Sequence, residues 1–221
     1  MSPEVEVGYV RAGIHGRHVV KRAERDPRGT LLGFHGYGET AEKHVEQLVA
    51  LPGSDQWDLV AVNALHQFYT RSGEVVASWM TSSDRELMIQ DNRAYVAAVV
   101  DQVVRARPIV VVGFSQGVAM AYRAAALLEL DIGAVVSLAG DLPPELADSD
   151  LTGFPPVLIA RGDGEEWYTA ERATADAERL RHDGVRVQEF EFAGGHEWTE
   201  EIRRKIAGFV AGVSASASAS D

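Results

Sequence analysis

Short apolar runs alternate with helical patterns along most of the chain. Runs of this length and composition are typical of strands that are covered on both faces. They predict strands at residues 30–34, 57–62, 109–114, 133–138, 157–160 and 185–192. Apolar positions three and four residues apart predict helices at 40–51, 84–107, 116–128, 168–181 and 198–210. Strands followed by helices predict a mainly parallel sheet with helices on both faces, which is the α/β class.

The amino-terminal part of the chain has a different pattern. Val5–Val10 and Arg17–Ala23 predict two strands, joined by a hairpin-like connection around Gly13 and Gly16. We expect them to form an antiparallel edge of the sheet. Residues 1–213 are predicted as one domain, and the Ser/Ala repeat at 214–221 as a disordered tail.

The stretch 63–83 is the longest one without clear periodicity. Long loops in compact domains are more often functional than not. Ser83 and Glu86 stand at the spacing of a capping box, which predicts the start of the following helix.

Composition excludes several classes of function. The 221 residues carry a formal charge of −12, which disfavours nucleic acids and anionic membranes as partners. The chain has no cysteine, so it has neither a disulfide nor a thiolate nucleophile. No signal-peptide pattern is found, and no apolar run approaches the length of about 18 residues needed to span a membrane. We therefore expect a cytoplasmic protein, and leave its oligomeric state open, with a homodimer as one option.

A Gly-x-Ser-x-Gly segment, Gly113-Phe114-Ser115-Gln116-Gly117, joins a predicted strand to a predicted helix. This is the context of a nucleophile elbow, a turn so tight that the residues two before and two after the serine need almost no side chain. The alternative is an ordinary strand-to-helix turn. The catalytic interpretation requires a base, an orienting acid and donors for an oxyanion elsewhere in the chain.

His196 is the predicted base, because it follows the last strand and the flexible pair Gly194-Gly195. Candidate acids follow two earlier strands: Asp163, Glu165 and Glu166 after 157–160, and Asp141 after 133–138. Glu165 is far enough along its loop to turn back toward His196. Asp163 stays an alternative, although short acids in loops often bond nearby backbone amides instead.

The oxyanion donors are predicted to be backbone N–H groups. Gln116 follows the nucleophile directly, and Tyr37 lies in the glycine-rich segment His35-Gly36-Tyr37-Gly38 after the strand at 30–34. His35 is interpreted as a structural residue that holds this loop, with a second catalytic histidine as the alternative. His15 and His18 are three residues apart near predicted strands, so they do not share a face, and we expect neither a metal nor another cofactor.

These motifs carry a resemblance. The segments His35–Glu39, Gly113–Gly117, Gly162–Glu165 and Gly194–His196 resemble the carboxylesterase/phospholipase branch of the α/β-hydrolase superfamily. That branch includes acyl-protein thioesterases and lysophospholipase-like esterases, with dienelactone hydrolases as more distant relatives. The resemblance runs from about residue 30 to 210, and it implies an α/β-hydrolase fold.

The resemblance also implies roles for single residues. Ser115 takes the position of the nucleophile, His196 that of the base, and Tyr37 and Gln116 those of the oxyanion donors. The family's usual acid is an aspartate two residues after the Gly-Asp pair, where this chain has Glu165. This departure leaves Asp163 open as the acid.

Aromatic and apolar residues beside these motifs are candidates for a substrate pocket: Phe68, Tyr69, Trp79, Met80 and Trp167. Packing in the core is the alternative for each of them. The sequence therefore predicts a serine hydrolase of carboxylic esters with short or medium acyl chains, lysophospholipids or thioesters among them. The alternative is a non-enzymatic α/β-hydrolase-like binding protein, and the predicted partner in either case is a small molecule.

Overall fold

A seven-stranded sheet forms the centre of the molecule. The computed structural model describes residues 5–217, with side chains described up to residue 213. The strands of this sheet are β1 (His18–Lys21), β2 (Thr30–Phe34), β3 (Asp58–Val62), β6 (Ile109–Phe114), β7 (Ile132–Leu138), β8 (Val157–Gly162) and β9 (Val187–Phe192). Their order is β1-β3-β2-β6-β7-β8-β9, and all neighbours are parallel except β1, which pairs antiparallel with β3. This confirms the predicted α/β class and its antiparallel edge.

Helices cover both faces of this sheet. They are α1 (Ala41–Val49), α2 (Arg85–Val103), α3 (Gln116–Leu127), the short α4 (Pro144–Ala147), α5 (Ala170–His182) and α6 (Glu200–Ala217). Successive side chains of a strand point to opposite faces. Accordingly, Leu31 and Val110 pack with Leu48 of α1 and Ile206 of α6. On the other face, Leu32 and Val111 pack with residues of α2, α3 and α5: Val96, Met120 and Leu180.

The structure corrects the prediction for the amino-terminal strands. Val5–Val10 is not a strand, and residues 5–17 have no regular secondary structure. The antiparallel edge therefore consists of β1 alone. Its four residues pair with β3, from His18 opposite Val62 to Lys21 opposite Leu59.

The stretch 63–83 contains a hairpin that the sequence pattern did not predict. Strands β4 (His66–Tyr69) and β5 (Val75–Ser78) pair antiparallel in a sheet of their own. Gly73, with φ +86°, lies in the turn between them. The predicted capping box is wrong, because α2 begins after Asp84 at φ 50° and no side chain caps it.

The last described element is α6, which reaches Ala217 and so extends into the segment predicted as a disordered tail. Residues 218–221 lie outside the described residues, and for them the tail stays a prediction. Among residues 5–217, no helix has the length and apolar character required to cross a membrane.

The sheet register brings the chemically interesting loops together. Phe34, the last residue of β2, lies opposite Gly113 of β6, and Phe114 lies opposite Leu138 of β7. The loops after β2, β6, β7, β8 and β9 therefore all lie at the carboxyl ends of the parallel strands, where ligands bind in folds of this kind.

Candidate active site

Ser115 lies in a strained turn between β6 and α3. Its backbone has φ 54° and ψ −123°, a conformation that is rare for any residue other than glycine. The Ser115 N–H donates to the Leu138 carbonyl oxygen at 2.9 Å. This hydrogen bond fixes the turn against the neighbouring strand β7.

Three glycines make this turn possible. A Cβ on Gly117 would lie 2.0 Å from the Phe34 carbonyl oxygen, and one on Gly113 would lie 2.5 Å from the Val118 Cα. Gly140, which the sequence reasoning missed, has the same function after β7, because its Cβ would lie 2.5 Å from the Ser115 carbonyl oxygen. Backbone atoms approach all three positions, so no side chain fits there.

His196 and Glu165 form the central polar contact of the site. The Nδ1 atom of His196 lies 2.6 Å from Oε2 of Glu165, whose side chain is 0% exposed. The second oxygen, Oε1, accepts the N–H groups of Trp167 at 2.9 Å and Tyr168 at 3.4 Å. Burial raises the pKa of the Glu165 carboxyl, but these hydrogen bonds outweigh it and hold the pKa below its ordinary value. An ionised Glu165 requires the proton on Nδ1, which leaves Nε2 as an acceptor.

The other candidate acids make different contacts. Asp163 accepts the Gly194 N–H at 3.0 Å, so its carboxylate holds the loop that carries His196 rather than the imidazole itself. Asp141 pairs with Arg172 at 3.2 Å, and Glu166 is exposed. Of the four carboxylates considered, Glu165 is the one in contact with His196.

The loop after β2 is held by His35, which is fully buried. Its Nε2 accepts the Ala64 N–H at 3.0 Å, so Nδ1 carries the proton and donates to the Gly36 carbonyl oxygen at 2.7 Å. Burial lowers the pKa of His35 and keeps the ring neutral. These contacts are those of the structural residue that the sequence predicted.

Two backbone donors in this region are free. No hydrogen-bond partner of the Tyr37 N–H or of the Gln116 N–H is found in the part of the chain that the structure describes. Both residues line the same cavity as Ser115 and His196. The arrangement thus combines a hydroxyl, an imidazole acceptor and two unused N–H donors.

The side chain of Gln116 has a role that the sequence reasoning missed. Its Oε1 accepts the Trp79 N–H at 2.9 Å, and its Nε2 donates to the Met80 carbonyl oxygen at 2.9 Å. The residue after the serine thereby fastens the segment after β5 to the elbow. The long amide side chain directly after the serine was the available signal.

The cavity beside Ser115 has a volume of about 630 Å³. Its lining residues are Tyr37, Ser115, Gln116, Ala119, Ala139, Gly140, Asp141, Trp167, Tyr168, Arg172 and His196. Of the predicted pocket residues, Trp167 lines it and is 79% exposed.

The remaining predicted pocket residues lie elsewhere, and one of them, Tyr69, is exposed at the end of β4. Trp79 is buried in the core and its indole N–H donates to the His35 carbonyl oxygen at 2.9 Å. Phe68 stacks on the Tyr37 ring, with 5.4 Å between ring centroids. Met80 contacts the site through its backbone carbonyl, which accepts the Gln116 amide. Trp79, Phe68 and Met80 thus support the lining loops rather than the cavity wall.

Metal ligands do not cluster in the described part of the chain. Within residues 5–217, no group of three or more histidine or carboxylate side chains is arranged to hold an ion.

Comparisons with known proteins agree with this architecture. The model of the phospholipase/carboxylesterase family matches residues 15–211. The structure of maize acyl-protein thioesterase 2 is similar, with a TM-score of 0.73 and 18% identity over 90% of this chain and 100% of that one. A carboxylesterase from Mesorhizobium loti gives a TM-score of 0.72 and 19% identity over 89% of this chain and 95% of that one.

A carboxylesterase from Bacillus cereus gives a TM-score of 0.70 and 16% identity over 90% of this chain and 94% of that one. At these identities the likeness shows the fold. A comparison with curated proteins finds no significant match.

Proposed function

The chain belongs to the phospholipase/carboxylesterase family of hydrolases, and we propose that it cleaves carboxylic esters through an acyl-enzyme on Ser115. The observation that carries this proposal is the contact between His196 and the buried Glu165 at the cavity that holds the Ser115 elbow. An imidazole oriented by a buried carboxylate is the base that a serine nucleophile needs.

The first half of the reaction forms the acyl-enzyme. The Ser115 Oγ attacks the ester carbonyl carbon while its proton passes to Nε2 of His196. Negative charge develops on the carbonyl oxygen, and the N–H groups of Tyr37 and Gln116 stabilise it. When the C–O bond of the tetrahedral intermediate breaks, His196 gives its proton to the departing alcohol.

The second half releases the acid. Water takes the place of the alcohol and transfers a proton to His196 as its oxygen attacks the acyl carbon. The bond to Ser115 Oγ then breaks, His196 returns the proton to the serine, and the carboxylic acid leaves. Glu165 stays ionised throughout, since its two oxygens are satisfied by His196 and by backbone N–H groups.

The cavity supports small acyl groups as substrates. Ala119, Ala139 and the Trp167 ring supply an apolar wall within about 630 Å³, a volume in the range of small-molecule sites. The proposed substrates are esters with short to medium acyl chains. Thioesters belong to the same proposal, because the maize relative is an acyl-protein thioesterase and the same acyl-enzyme route serves both leaving groups.

The test is a series of p-nitrophenyl esters from acetate to octanoate, with a matched thioester panel. Wild-type protein is expected to hydrolyse the shorter esters and to react with a fluorophosphonate probe. Ser115→Ala is expected to lose both activities, whereas Ser83→Ala, at an exposed turn, keeps them. Full activity in Ser115→Ala would refute the proposal. A wild type without hydrolysis or labelling would favour a non-enzymatic binding protein.

A further inference from the structure

The carboxylate of Glu39 lies beside the site, and the reaction above gives this carboxylate no function. It follows the loop 35–38 and precedes α1, and Oε2 of Glu39 accepts the Gly36 N–H at 2.8 Å. The Glu39 N–H donates back to the Gly36 carbonyl oxygen at 3.3 Å. Side chain and backbone of one residue thus close the turn that contains Tyr37.

The backbone of this turn is also attached to the hairpin. The Gly38 N–H donates to the Ala77 carbonyl oxygen at 3.0 Å, and the Ala77 N–H donates to the Glu39 carbonyl oxygen at 2.9 Å. These bonds hold residues 38 and 39 against β5. They do not reach Gly36, whose carbonyl oxygen accepts from His35 Nδ1 at 2.7 Å and from the Glu39 N–H at 3.3 Å. Among the described residues, the partner of the Gly36 N–H is the Glu39 carboxylate.

Gly36 lies between Glu39 and the nucleophile. A Cβ at this position would stand 3.1 Å from Glu39 Oε2 and 3.3 Å from the Ser115 Cβ. The space that a Gly36 side chain would occupy therefore lies between the carboxylate and the serine. A glycine has the widest choice of backbone conformations, so the hydrogen bonds of its N–H and of its carbonyl oxygen together determine how the peptides on both sides of it are oriented.

We propose that Glu39 is a positioning residue: its carboxylate fixes the Gly36 N–H, its own N–H helps His35 to hold the Gly36 carbonyl oxygen, and the Tyr37 N–H of the peptide thus oriented stays available as an oxyanion donor. An oxyanion donor is effective when it is oriented before the reaction begins, because reorientation during the reaction costs free energy. Gly36 and Gly38 give the loop wide conformational freedom, and the carboxylate contact is one of the hydrogen bonds that restrict it. This inference rests on the proposed serine hydrolase function.

The carboxylate of Glu39 is expected to act through its hydrogen bond to the Gly36 N–H rather than through its charge. Burial raises the pKa of the Glu39 carboxyl, while the Gly36 N–H, Lys43 and His196 act in the opposite direction. Lys43 and His196 are the charged or titratable side chains that act on it. A negative charge this close to a developing oxyanion opposes the reaction, so a neutral acceptor at the same place is expected to serve equally well.

The experiment compares two substitutions of similar size. Glu39→Gln keeps a side-chain oxygen that accepts the Gly36 N–H, whereas Glu39→Leu fills the same space without an acceptor. With p-nitrophenyl butyrate, Glu39→Leu is expected to lower kcat about 10- to 100-fold, less than the loss of a whole oxyanion donor, with little change in KM. Glu39→Gln is expected to keep kcat within about threefold of the wild type. A merely structural effect would instead change KM, or would lower kcat in both variants.

Controls separate this inference from other effects. Glu46→Leu makes the same substitution at an exposed position of α1 and is expected to leave kcat unchanged. Thermal unfolding identifies variants that fail to fold, and Glu39→Ala then replaces Glu39→Leu. Wild-type kcat in the acceptor-free variant, or an equal loss in Glu39→Gln, would overturn the inference. A wild type that does not hydrolyse the ester would instead refute the proposed function itself.

Discussion

Replacement of Glu165 by glutamine tests the orientation of the base. The two oxygens of Glu165 are both acceptors: one for His196, the other for the N–H groups of Trp167 and Tyr168. Glutamine has one acceptor oxygen and one donor nitrogen, so it satisfies only one side of this arrangement. One orientation of the amide in Glu165→Gln therefore changes the tautomer of His196, and the other leaves a buried N–H without an acceptor.

If the glutamine nitrogen faces His196, it requires Nδ1 to be the acceptor, and the imidazole proton moves to Nε2. This tautomer is unable to take the Ser115 proton. If the oxygen faces His196, the amide nitrogen meets the Trp167 N–H, and a buried donor without a partner costs about 1–3 kcal/mol. The orientation with the nitrogen facing His196 has the lower free energy, and in this orientation His196 no longer acts as a base.

We therefore expect kcat/KM of Glu165→Gln to fall about 10³- to 10⁴-fold, by analogy with the wrong tautomer in a serine protease triad. This loss corresponds to about 4 to 5.5 kcal/mol of transition-state stabilisation. The assay is hydrolysis of p-nitrophenyl butyrate under conditions in which thermal unfolding shows the variant to be folded. KM is expected to change little, since Glu165 does not line the cavity.

Two neighbouring carboxylates provide matched controls. Glu166→Gln changes an exposed side chain and is expected to have wild-type activity. Asp163→Asn keeps an oxygen for the Gly194 N–H and is expected to lose less than about tenfold, a loss that fits a small disturbance of the loop. A loss below tenfold in Glu165→Gln, or a larger loss in Asp163→Asn, would refute the assignment of the acid.

Two further predictions concern stability. Gly117→Ala places a Cβ 2.0 Å from the Phe34 carbonyl oxygen and is expected to lower the free energy of unfolding by at least about 1–3 kcal/mol, measured by urea denaturation. Gly208→Ala, where the added Cβ meets nothing within 4 Å on α6, is expected to raise it by up to about 1 kcal/mol, and equal effects of the two substitutions would contradict the steric explanation. Burial opposes ionisation of Glu145 in α4, but hydrogen bonds from Arg123 and Arg85 lower its pKa to about 2. Its ionised form therefore stabilises the fold above the ordinary value of 4.5, and this contribution disappears as the pH falls toward 2. Glu145→Gln should weaken the pH dependence of the unfolding free energy between pH 5 and 2. An unchanged pH dependence would contradict the stabilising role of ionised Glu145.

The sequence was most informative where one local requirement decides the structure. The apolar residues of β6 predicted a buried strand, and the spacing of Gly113 and Gly117 predicted the turn that follows. The parallel arrangement followed from the alternation of strands and helices, and with it the convergence of the loops at one edge. The position of Glu165 in its loop favoured it as the residue beside His196, although Asp163 could be distinguished only by its actual contact with Gly194.

The sequence was less informative where the outcome depends on distant partners. Val5–Val10 has the composition of a strand, but a strand requires an edge to pair with, and the structure leaves this segment unpaired. The order of the strands in the sheet is likewise a tertiary property. Trp79 was considered for the pocket wall, yet its indole N–H finds the His35 carbonyl oxygen and its ring packs against Phe34 in the core.

The backbone of Ser115 has a consequence for how such a chain changes in evolution. Its φ of 54° costs a residue with a side chain on the order of 1–3 kcal/mol, and a glycine at this position would avoid most of that cost. The most stable version of this turn would therefore lack the hydroxyl. Mutation tends to erode a position of this kind unless selection for activity maintains it. Serine at this position makes the fold less stable than glycine would, and such a cost is expected where the hydroxyl is needed for activity.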